Sequence, residues 1–523
     1  RVLCIQQDHR ADEHEPTNTL VAVPLAGGEP EVLVSGHDFF SSARVSPDGR
    51  QLAWLSWDHP NLPWDGCELW LAELDPAGRP RAARRVAGSP SASINQPRWS
   101  PDGRLHFVAE PEGWWNLFVL GADGAPVALA PMEAEFGFPQ WNFGQQTYDL
   151  LPDGRIVAAS AGGPGVERDR LWLIGPGAGQ VVPLETSWTA VRSVAVLGER
   201  IGLVAASWTE PPSVVLIGRE GGAIEAVQRS SGVRIDPADV SVPTAITFPT
   251  SDGEVAHGLF YGPRNRRFRA PGGERPPLLV TSHGGPTAAA ATSLKLDLQY
   301  FTSRGIAVVD VDYRGSSGYG RAYRQALEGD WGVSDVDDCV AAVRYLAAEG
   351  LADGKRAAIE GGSASGYTTL AALVFRDTFC AGVSYFGIGD LETFVQTTHK
   401  FESRYLDRLV GPWPAAAETY RARSPVHHLD QVSCPMLILQ GLEDRIVPPS
   451  QAEAMAAALR ARGLPYAYLP FEGEGHGFRR EANLRRATQA ELAFYGQVLG
   501  FTPADELPPL QLVGTGPQHQ GEP

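Results

Sequence analysis

Nine residues, Ile359-Glu-Gly-Gly-Ser-Ala-Ser-Gly-Tyr367, set a serine among small neighbours, between an apolar run and a helix-like segment. A serine hydroxyl becomes a nucleophile only when a base takes its proton, and a sharp strand–turn–helix bend is the setting that exposes it. Such a bend crowds the backbone, so the positions two before and two after the serine are normally glycine. Centred on Ser363, those positions are Gly361 and Ser365; centred on Ser365, they would be Ser363 and Tyr367. Ser363 is therefore the expected nucleophile, with a serine in its second glycine position. A Gly/Ser-rich helix cap would give a similar string and no chemistry.

The partners separate the two readings. Hydrolases built around such an elbow run Ser, then Asp or Glu, then His along the chain. After the apolar run Met436-Leu-Ile-Leu-Gln comes Gly441-Leu-Glu-Asp444, and after Tyr466-Ala-Tyr-Leu-Pro-Phe comes Glu472-Gly-Glu-Gly-His476-Gly-Phe. Each puts a polar side chain in the loop that leaves a strand. His476 would take the Ser363 proton and return it to the leaving group, while Asp444 would orient the ring and stabilise its charged form. His399, His427 and His428 also follow the serine, and the His427-His428 pair reads as surface. Asp390 and Glu443 are alternative acids that rank below Asp444. An oxyanion hole needs two backbone N–H groups, expected from Ala364 and from Gly285 in the loop Ser282-His-Gly-Gly-Pro286. His283 precedes the serine and reads as a brace of that loop. No His/Asp/Glu cluster at ligand spacing and no Walker-type loop occurs, so neither a metal nor a phosphate site is expected.

These loops need a scaffold. From about residue 278 onward, apolar strands (Leu278 to Thr281, Ile306 to Val311, Ala357 to Glu360, Gly382 to Phe386, Met436 to Gln440) alternate with helical patterns (Val336 to Ala348, Thr368 to Phe375, Gln451 to Arg462, Leu484 to Val498). That alternation predicts a mostly parallel α/β sheet with helices on both faces. A hairpin over Ala245 to Phe248 and Ala256 to Tyr261 and a polar loop over Gly262 to Pro277 precede it.

The first half has another rhythm. Ser-Pro-Asp-Gly-Arg begins at Ser46 and at Ser100, and Leu-Pro-Asp-Gly-Arg at Leu151; Asp48, Asp102 and Asp153 thus lie 54 and 51 residues apart. Pro-Asp-Gly is a tight-turn string, and each copy leads into a short apolar strand. A second strand type recurs in Glu68-Leu-Trp-Leu-Ala, Asn116-Leu-Phe-Val-Leu and Arg170-Leu-Trp-Leu-Ile. Turn and strand recurring together at this period predict β-propeller blades, of which the first half holds four or five, in preference to a β-sandwich. The expected division is a propeller over residues 1–240, an α/β-hydrolase domain over 241–501, and a flexible tail over 502–523, with a hinge near Arg234 to Pro243. The chain starts at Arg1 inside an apparent strand, so N-terminal blades are expected to be missing.

Composition narrows the function. The 523 residues exceed one ordinary core, and 43% hydrophobic content suits buried domains. A net charge of -17 disfavours nucleic acid and anionic lipid as partners. No apolar run is long enough to span a membrane. Five scattered cysteines without a CxxC pair read as reduced thiols, which suits the cytoplasm.

Several strings together resemble the prolyl oligopeptidase family of serine peptidases, particularly its acylaminoacyl-peptidase-like branch. They are His283-Gly-Gly-Pro, Asp312-Tyr-Arg-Gly-Ser-Ser-Gly-Tyr-Gly320, Asp330-Trp-Gly-Val-Ser-Asp335, Gly361 to Tyr367, Phe401-Glu-Ser-Arg-Tyr-Leu-Asp407, Gln440 to Asp444, Glu474-Gly-His-Gly-Phe478 and, earlier, Glu112-Gly-Trp-Trp-Asn-Leu-Phe118. The resemblance implies a propeller capping the hydrolase, a buried active site that admits short peptides, no cofactor, and frequent homo-oligomers. Two departures stand out: Ser365 for glycine, and fewer blades than the seven or eight usual in relatives. Tyr367 and Arg404 are candidate substrate contacts, Arg404 being equally able to pair with Glu402 or Asp407. The expected activity is exopeptidase cleavage of acylaminoacyl or dipeptidyl type. The alternatives are a carboxypeptidase that reads the free carboxylate with arginine, a carboxylesterase, or a binding protein on an inactive hydrolase.

Overall fold

The computed structural model describes residues 1–10, 15–162, 168–176 and 179–514. Its first part is a series of small antiparallel meanders. A three-stranded sheet (Val2–Asp8, Thr17–Val23, Glu31–Val34) is followed by four four-stranded sheets within residues 39–89, 94–128, 148–184 and 190–229. In each, neighbours in sequence are neighbours in the sheet, as blade-like units require. Five such sheets agree with the four or five expected. The repeated turns are built as their residues dictate: the N–H groups of Gly49, Gly103 and Gly154 donate to Ser46, Ser100 and Leu151 carbonyls at 2.9, 2.9 and 3.0 Å. The glycines hold positive φ of 72°, 85° and 84°, a region that costs a side chain energy.

The second part is one eight-stranded sheet. Its spatial order is Thr244–Pro249, Val255–Tyr261, Ala307–Asp312, Pro277–Ser282, Asp353–Gly362, Ala381–Tyr385, Met436–Gly441 and Tyr466–Phe471. The first two pairings are antiparallel and the remaining five are parallel. Alternate residues feed opposite faces: Leu278, Val280 and Ile359 join one apolar cluster, Leu279, Ala358 and Val383 another. Burial on both faces is why these strands read as continuous apolar runs. The long helices (Ser334–Ala348, Ala364–Phe375, Pro449–Ala461, Glu481–Leu499) fall where their periodicity predicts. Leu296–Thr302, Leu391–Thr397, Tyr405–Leu409 and Ala417–Arg423 are too short for periodicity to reveal.

The two parts share a core. The larger cluster runs from the hydrolase sheet into Trp64, Trp115 and Leu117 of the first half. Across this seam Glu110 pairs with both Arg321 and Arg324, and its side chain and that of Arg324 are almost fully buried. Arg324 also lies over the Trp115 ring at 4.1 Å. The Gly320 N–H donates to Glu135 at 3.1 Å and the Arg321 N–H to the Gly113 carbonyl at 2.7 Å. The Glu112 to Phe118 string is thus a docking element for the helix Gly320–Gln325.

The expectation of a loosely held tail from residue 502 fails for its described part. Asp505 pairs with Arg304 at 2.6 Å, Gln497 donates to the Leu510 carbonyl at 3.0 Å, and Val513 exchanges two main-chain hydrogen bonds with Tyr466 at 2.8 and 3.0 Å. Leu510 and Leu512 pack on the second cluster. Composition hid this because the segment borrows an exposed strand edge instead of supplying structure of its own. Residues 515–523 lie outside the described part.

Candidate active site

Ser363 stands between the strand Asp353–Gly362 and the helix Ala364–Phe375 with φ 58° and ψ -123°. A non-glycine residue held there is strained, and the surroundings account for it. The Ser363 N–H donates to the Tyr385 carbonyl at 3.0 Å, and its carbonyl accepts from the Tyr367 N–H at 3.0 Å. Space is equally tight. A Cβ on Gly361 would meet Ser365 Oγ at 2.1 Å, and one on Gly366 the Gly387 Cα at 2.7 Å.

Ser365 departs from the glycine pattern without strain. It sits inside the helix, outside the positive-φ residues. Its buried hydroxyl accepts the Gly362 N–H at 3.0 Å. The side chain therefore fills a role in the bend.

Three sequence-predicted side chains, 32 to 113 residues apart, meet here. His476 Nε2 lies 2.9 Å from Ser363 Oγ, and His476 Nδ1 lies 2.8 Å from Asp444 Oδ2. Asp444 is fully buried in its side chain, whereas His476 keeps 20% exposure. The other Asp444 oxygen accepts the N–H groups of Ile446 and Val447 at 2.9 and 3.0 Å. These amides fix the orientation of the carboxylate toward His476. The loop carrying His476 is shaped by Glu474, which accepts the N–H groups of Arg479 and Arg480 at 2.9 Å each and Asn483 at 2.8 Å. Phe386 packs its ring 4.7 Å from the His476 ring. Neither Glu474 nor Phe386 was singled out from sequence, although Glu474 stands in a quoted string.

Ala364 is the first residue of its helix, so its N–H has no intrahelical acceptor. Beside it, a Cβ on Gly284 would lie 3.7 Å from Ser363 Cβ, which brings the Gly284–Gly285 backbone against the nucleophile. Gly285 itself needs φ 123°, and a Cβ there would meet the Thr287 N at 2.8 Å. His283 is buried, 2.6 Å from Ser316 Oγ and stacked at a tilt 4.5 Å from Tyr313. Burial lowers its pKa to about 4, so it is a neutral ring tying two loops together. The first half reaches this loop too: Trp141 Nε1 donates to the Thr287 carbonyl at 2.7 Å.

The two expected substrate contacts fare differently. Tyr367 is fully buried, with its hydroxyl donating to the Arg423 carbonyl at 3.0 Å and its ring 4.5 Å from Trp331. That is a packing position, and the substrate-contact expectation for Tyr367 is corrected. A Cβ on Gly332 would meet its hydroxyl at 2.0 Å, which explains the glycine of the Asp330 to Asp335 string. Arg404 is exposed and forms no ion pair among the described residues, so Glu402 and Asp407 do not hold it. Glu402 turns to His399 at 3.8 Å, and Asp407 accepts the Trp413 N–H at 3.1 Å.

The rival groups lie elsewhere. Asp390 caps the helix Leu391–Thr397, accepting the Glu392 and Thr393 N–H groups. With Glu392 and His427 it forms a partly exposed cluster whose polar atoms lie within 4.8 Å of one another, a juxtaposition that the sequence spacing did not reveal. His428 contacts the Arg421 carbonyl at 3.3 Å.

Comparison with known proteins agrees with this architecture. The sequence pattern of the prolyl oligopeptidase family matches residues 292–502. A solved puromycin-hydrolyzing peptidase of Mycobacterium tuberculosis is 41% identical, with TM-score 0.93, over 98% of this chain and 79% of that one. Dipeptidyl aminopeptidase BIII of Pseudoxanthomonas mexicana is 33% identical over 230 residues, 43% of this chain and 33% of that protein. An acylamino-acid-releasing enzyme of Arabidopsis thaliana is 30% identical over 224 residues, 40% of this chain and 28% of that protein. The match thus spans about a third of the length of these curated relatives. Five blade-like sheets joined to an α/β-hydrolase sheet, and this likeness over nearly the whole chain, make the protein a member of the prolyl oligopeptidase family of serine peptidases.

Proposed function

We propose that the chain hydrolyses short peptides through an acyl-enzyme at Ser363. The single observation that carries this is the continuous contact Ser363 Oγ–His476 Nε2 and His476 Nδ1–Asp444 at 2.9 and 2.8 Å. Ser363 Oγ attacks the scissile carbonyl carbon as its proton passes to His476 Nε2. The negative oxygen that develops takes hydrogen bonds from the Ala364 N–H and from the Gly284–Gly285 backbone, Gly285 being the proposed second donor. His476 then gives its proton to the departing amine, and water repeats the steps to free the acid. Asp444 keeps the ring oriented throughout and offsets its positive charge. The route needs no cofactor.

The finer reading is an exopeptidase of acylaminoacyl or dipeptidyl type, with the blade-bearing half limiting substrate size. The direct contact of Trp141 with the Thr287 carbonyl supports it, because entry to Ser363 is then bounded by both halves. We divide the chain into a propeller over residues 1–240 and a hydrolase over 241–501. Five free cysteines support a reducing, cytoplasmic setting, and family resemblance supports a homo-oligomer.

The test uses one short peptide in three forms: free at both ends, N-acetylated and C-amidated. Products of the unsubstituted chain and of Ser363→Ala are followed by mass spectrometry. Cleavage that vanishes in Ser363→Ala upholds the reading. A simple ester turned over while no peptide form is cut makes the protein a carboxylesterase, and loss of residues from a free carboxyl end only makes it a carboxypeptidase.

A further inference from the structure

The polar loop over residues 262–277 has no task in the chemistry at Ser363. It carries Arg264, Arg266, Arg267, Arg269 and Arg275, in a chain whose net charge is -17. It stands at the amino ends of the parallel strands. Pro277 opens the strand Pro277–Ser282, and Leu351, which borders the same cavity as the loop, precedes the strand Asp353–Gly362. Ser363 lies at the other end of that ten-residue strand, which puts about 30 Å between the loop and the nucleophile.

The root of the loop is pinned. The Arg264 N–H donates to the Thr302 carbonyl at 3.0 Å and its Nε to the Ala238 carbonyl at 2.8 Å. Arg266 pairs with Asp236 and Asp239 at 2.5 and 3.0 Å. The Asn265 side chain donates to the Ser303 carbonyl at 2.9 Å and accepts the N–H groups of Arg267 and Phe268 at 2.9 and 3.2 Å. This frame displays Arg267-Phe268-Arg269. Both arginines are exposed and have no ion pair among the described residues. Phe268 is 74% exposed, against 50% for Phe143. A lone exposed apolar residue is ordinary, but a ring held between two unpaired guanidiniums combines the residue types enriched where proteins meet. Phe268 and Arg269 border a cavity of about 1220 Å³, whose other walls include Arg304, Leu351, Arg356 and Phe501.

We propose that this cavity docks an extended acidic segment of a partner protein, with carboxylates on Arg267 and Arg269 and an apolar side chain on Phe268. The chain's own tail shows the mode. Asp505, on the cavity wall, grips the Arg304 guanidinium in a two-pronged pair at 2.6 and 2.9 Å. The planar fork of arginine suits a carboxylate in this way. The volume exceeds the roughly 300–1,000 Å³ of small-molecule sites and suits several residues of peptide. Other occupants fit less well. A bilayer needs a protruding face, whereas this one is concave, and dense polyanions are repelled by a net charge of -17. A second copy docked about a two-fold axis would set these arginines against their equivalents. The proposal stands independently of the acyl-enzyme reading.

The experiment uses the Ser363→Ala chain, so that no peptide is consumed, and a fluorescein-labelled hexapeptide alternating glutamate with leucine. Fluorescence anisotropy gives Kd. Arg267→Glu with Arg269→Glu should weaken binding by roughly tenfold or more, and Phe268→Ala by about 3- to 10-fold. Kd should rise with added salt, and the same peptide with lysine for glutamate should not bind. Because the three side chains are exposed, unfolding midpoints should stay unchanged. With Ser363 in place, the double variant should cleave short peptides as the unsubstituted chain does. Equal affinity in the double variant, failure of the acidic peptide to bind, or equal binding of the lysine peptide overturns the proposal. So does a fall in cleavage by the double variant, which would make the loop part of the catalytic site. Binding to phosphatidylserine vesicles, or self-association, that the double substitution abolishes while the acidic peptide stays unbound would assign the surface to a membrane or to a second copy instead.

Discussion

The Glu443 N–H donates to the Glu474 carbonyl at 2.8 Å, one residue before Asp444 and two before His476. The loops carrying acid and base are stitched to each other by main chain, so the geometry at His476 does not depend on side chains alone. Gly441 makes this possible: a Cβ there would lie 2.5 Å from the Gly475 carbonyl oxygen and 2.6 Å from that of Glu474. Gly441→Ala must push the His476 loop away. We expect kcat/KM to fall by roughly 10- to 100-fold, measured on any cleaved peptide. An unchanged value would mean that the loop can shift without moving His476.

Asp444→Asn keeps the shape of the side chain but removes the charge and presents an amide where an acceptor is needed. By analogy with other Ser–His–Asp sites, kcat should drop by about 10³- to 10⁴-fold with the fold intact by circular dichroism. A drop below tenfold would shift the acid role to another carboxylate.

Ser365→Gly tests the family departure. The substitution removes the hydroxyl that accepts the Gly362 N–H and introduces a flexible residue into a helix. Stability should fall by about 1–2 kcal/mol, read as a lower denaturation midpoint, while kcat/KM changes less than about tenfold. A change of several orders of magnitude would show that Ser365 takes part in the chemistry.

Glu110 tests the seam. Glu110→Ala would leave Arg321 and Arg324 without their shared partner in a buried site. Breaking a buried pair from one side costs about 3–5 kcal/mol, so the unfolding transition should move or split into two. An unaltered single transition would mean that Glu135, 3.7 Å from Arg324, compensates.

The last prediction concerns pH. Glu360, three residues before the nucleophile, and Glu491 are neighbours under the sheet. Burial pushes Glu360 to about 7 and Glu491 well above its usual range; the charge of Glu360 hinders the ionisation of Glu491, whose hydrogen bond in turn favours the ionised form of Glu360. Tyr495 adds a hydrogen bond to Glu360 at 2.6 Å. A folded pKa above the unfolded 4.5 means that the stabilisation is complete below that pH and is lost as pH rises toward about 7. Glu491→Gln supplies the donor permanently. Its unfolding midpoint should decline less between pH 5 and 8 than that of the unsubstituted chain, and parallel declines would mean that the pair holds no proton.

Local chemistry made much of this protein readable. The elbow around Ser363, the Pro-Asp-Gly turns and the apolar runs of the parallel sheet are set by short-range sterics and period, so residue types alone located them. The order Ser363, Asp444, His476 followed because each loop leaves a strand that the sequence marks. Burial and contact across the chain were another matter. Tyr367 sits in the elbow string, but only packing shows it turned toward Trp331. Arg404 could have paired with two neighbours and pairs with neither. The tail looked unsupported because its partner, the Tyr466 edge, lies far away in sequence. The sequence by itself determined which elements form and which side chains could react, because those depend on neighbours along the chain. Tertiary structure alone decided which side chains meet and which polar groups pair, because desolvation and charge pairing depend on neighbours in space.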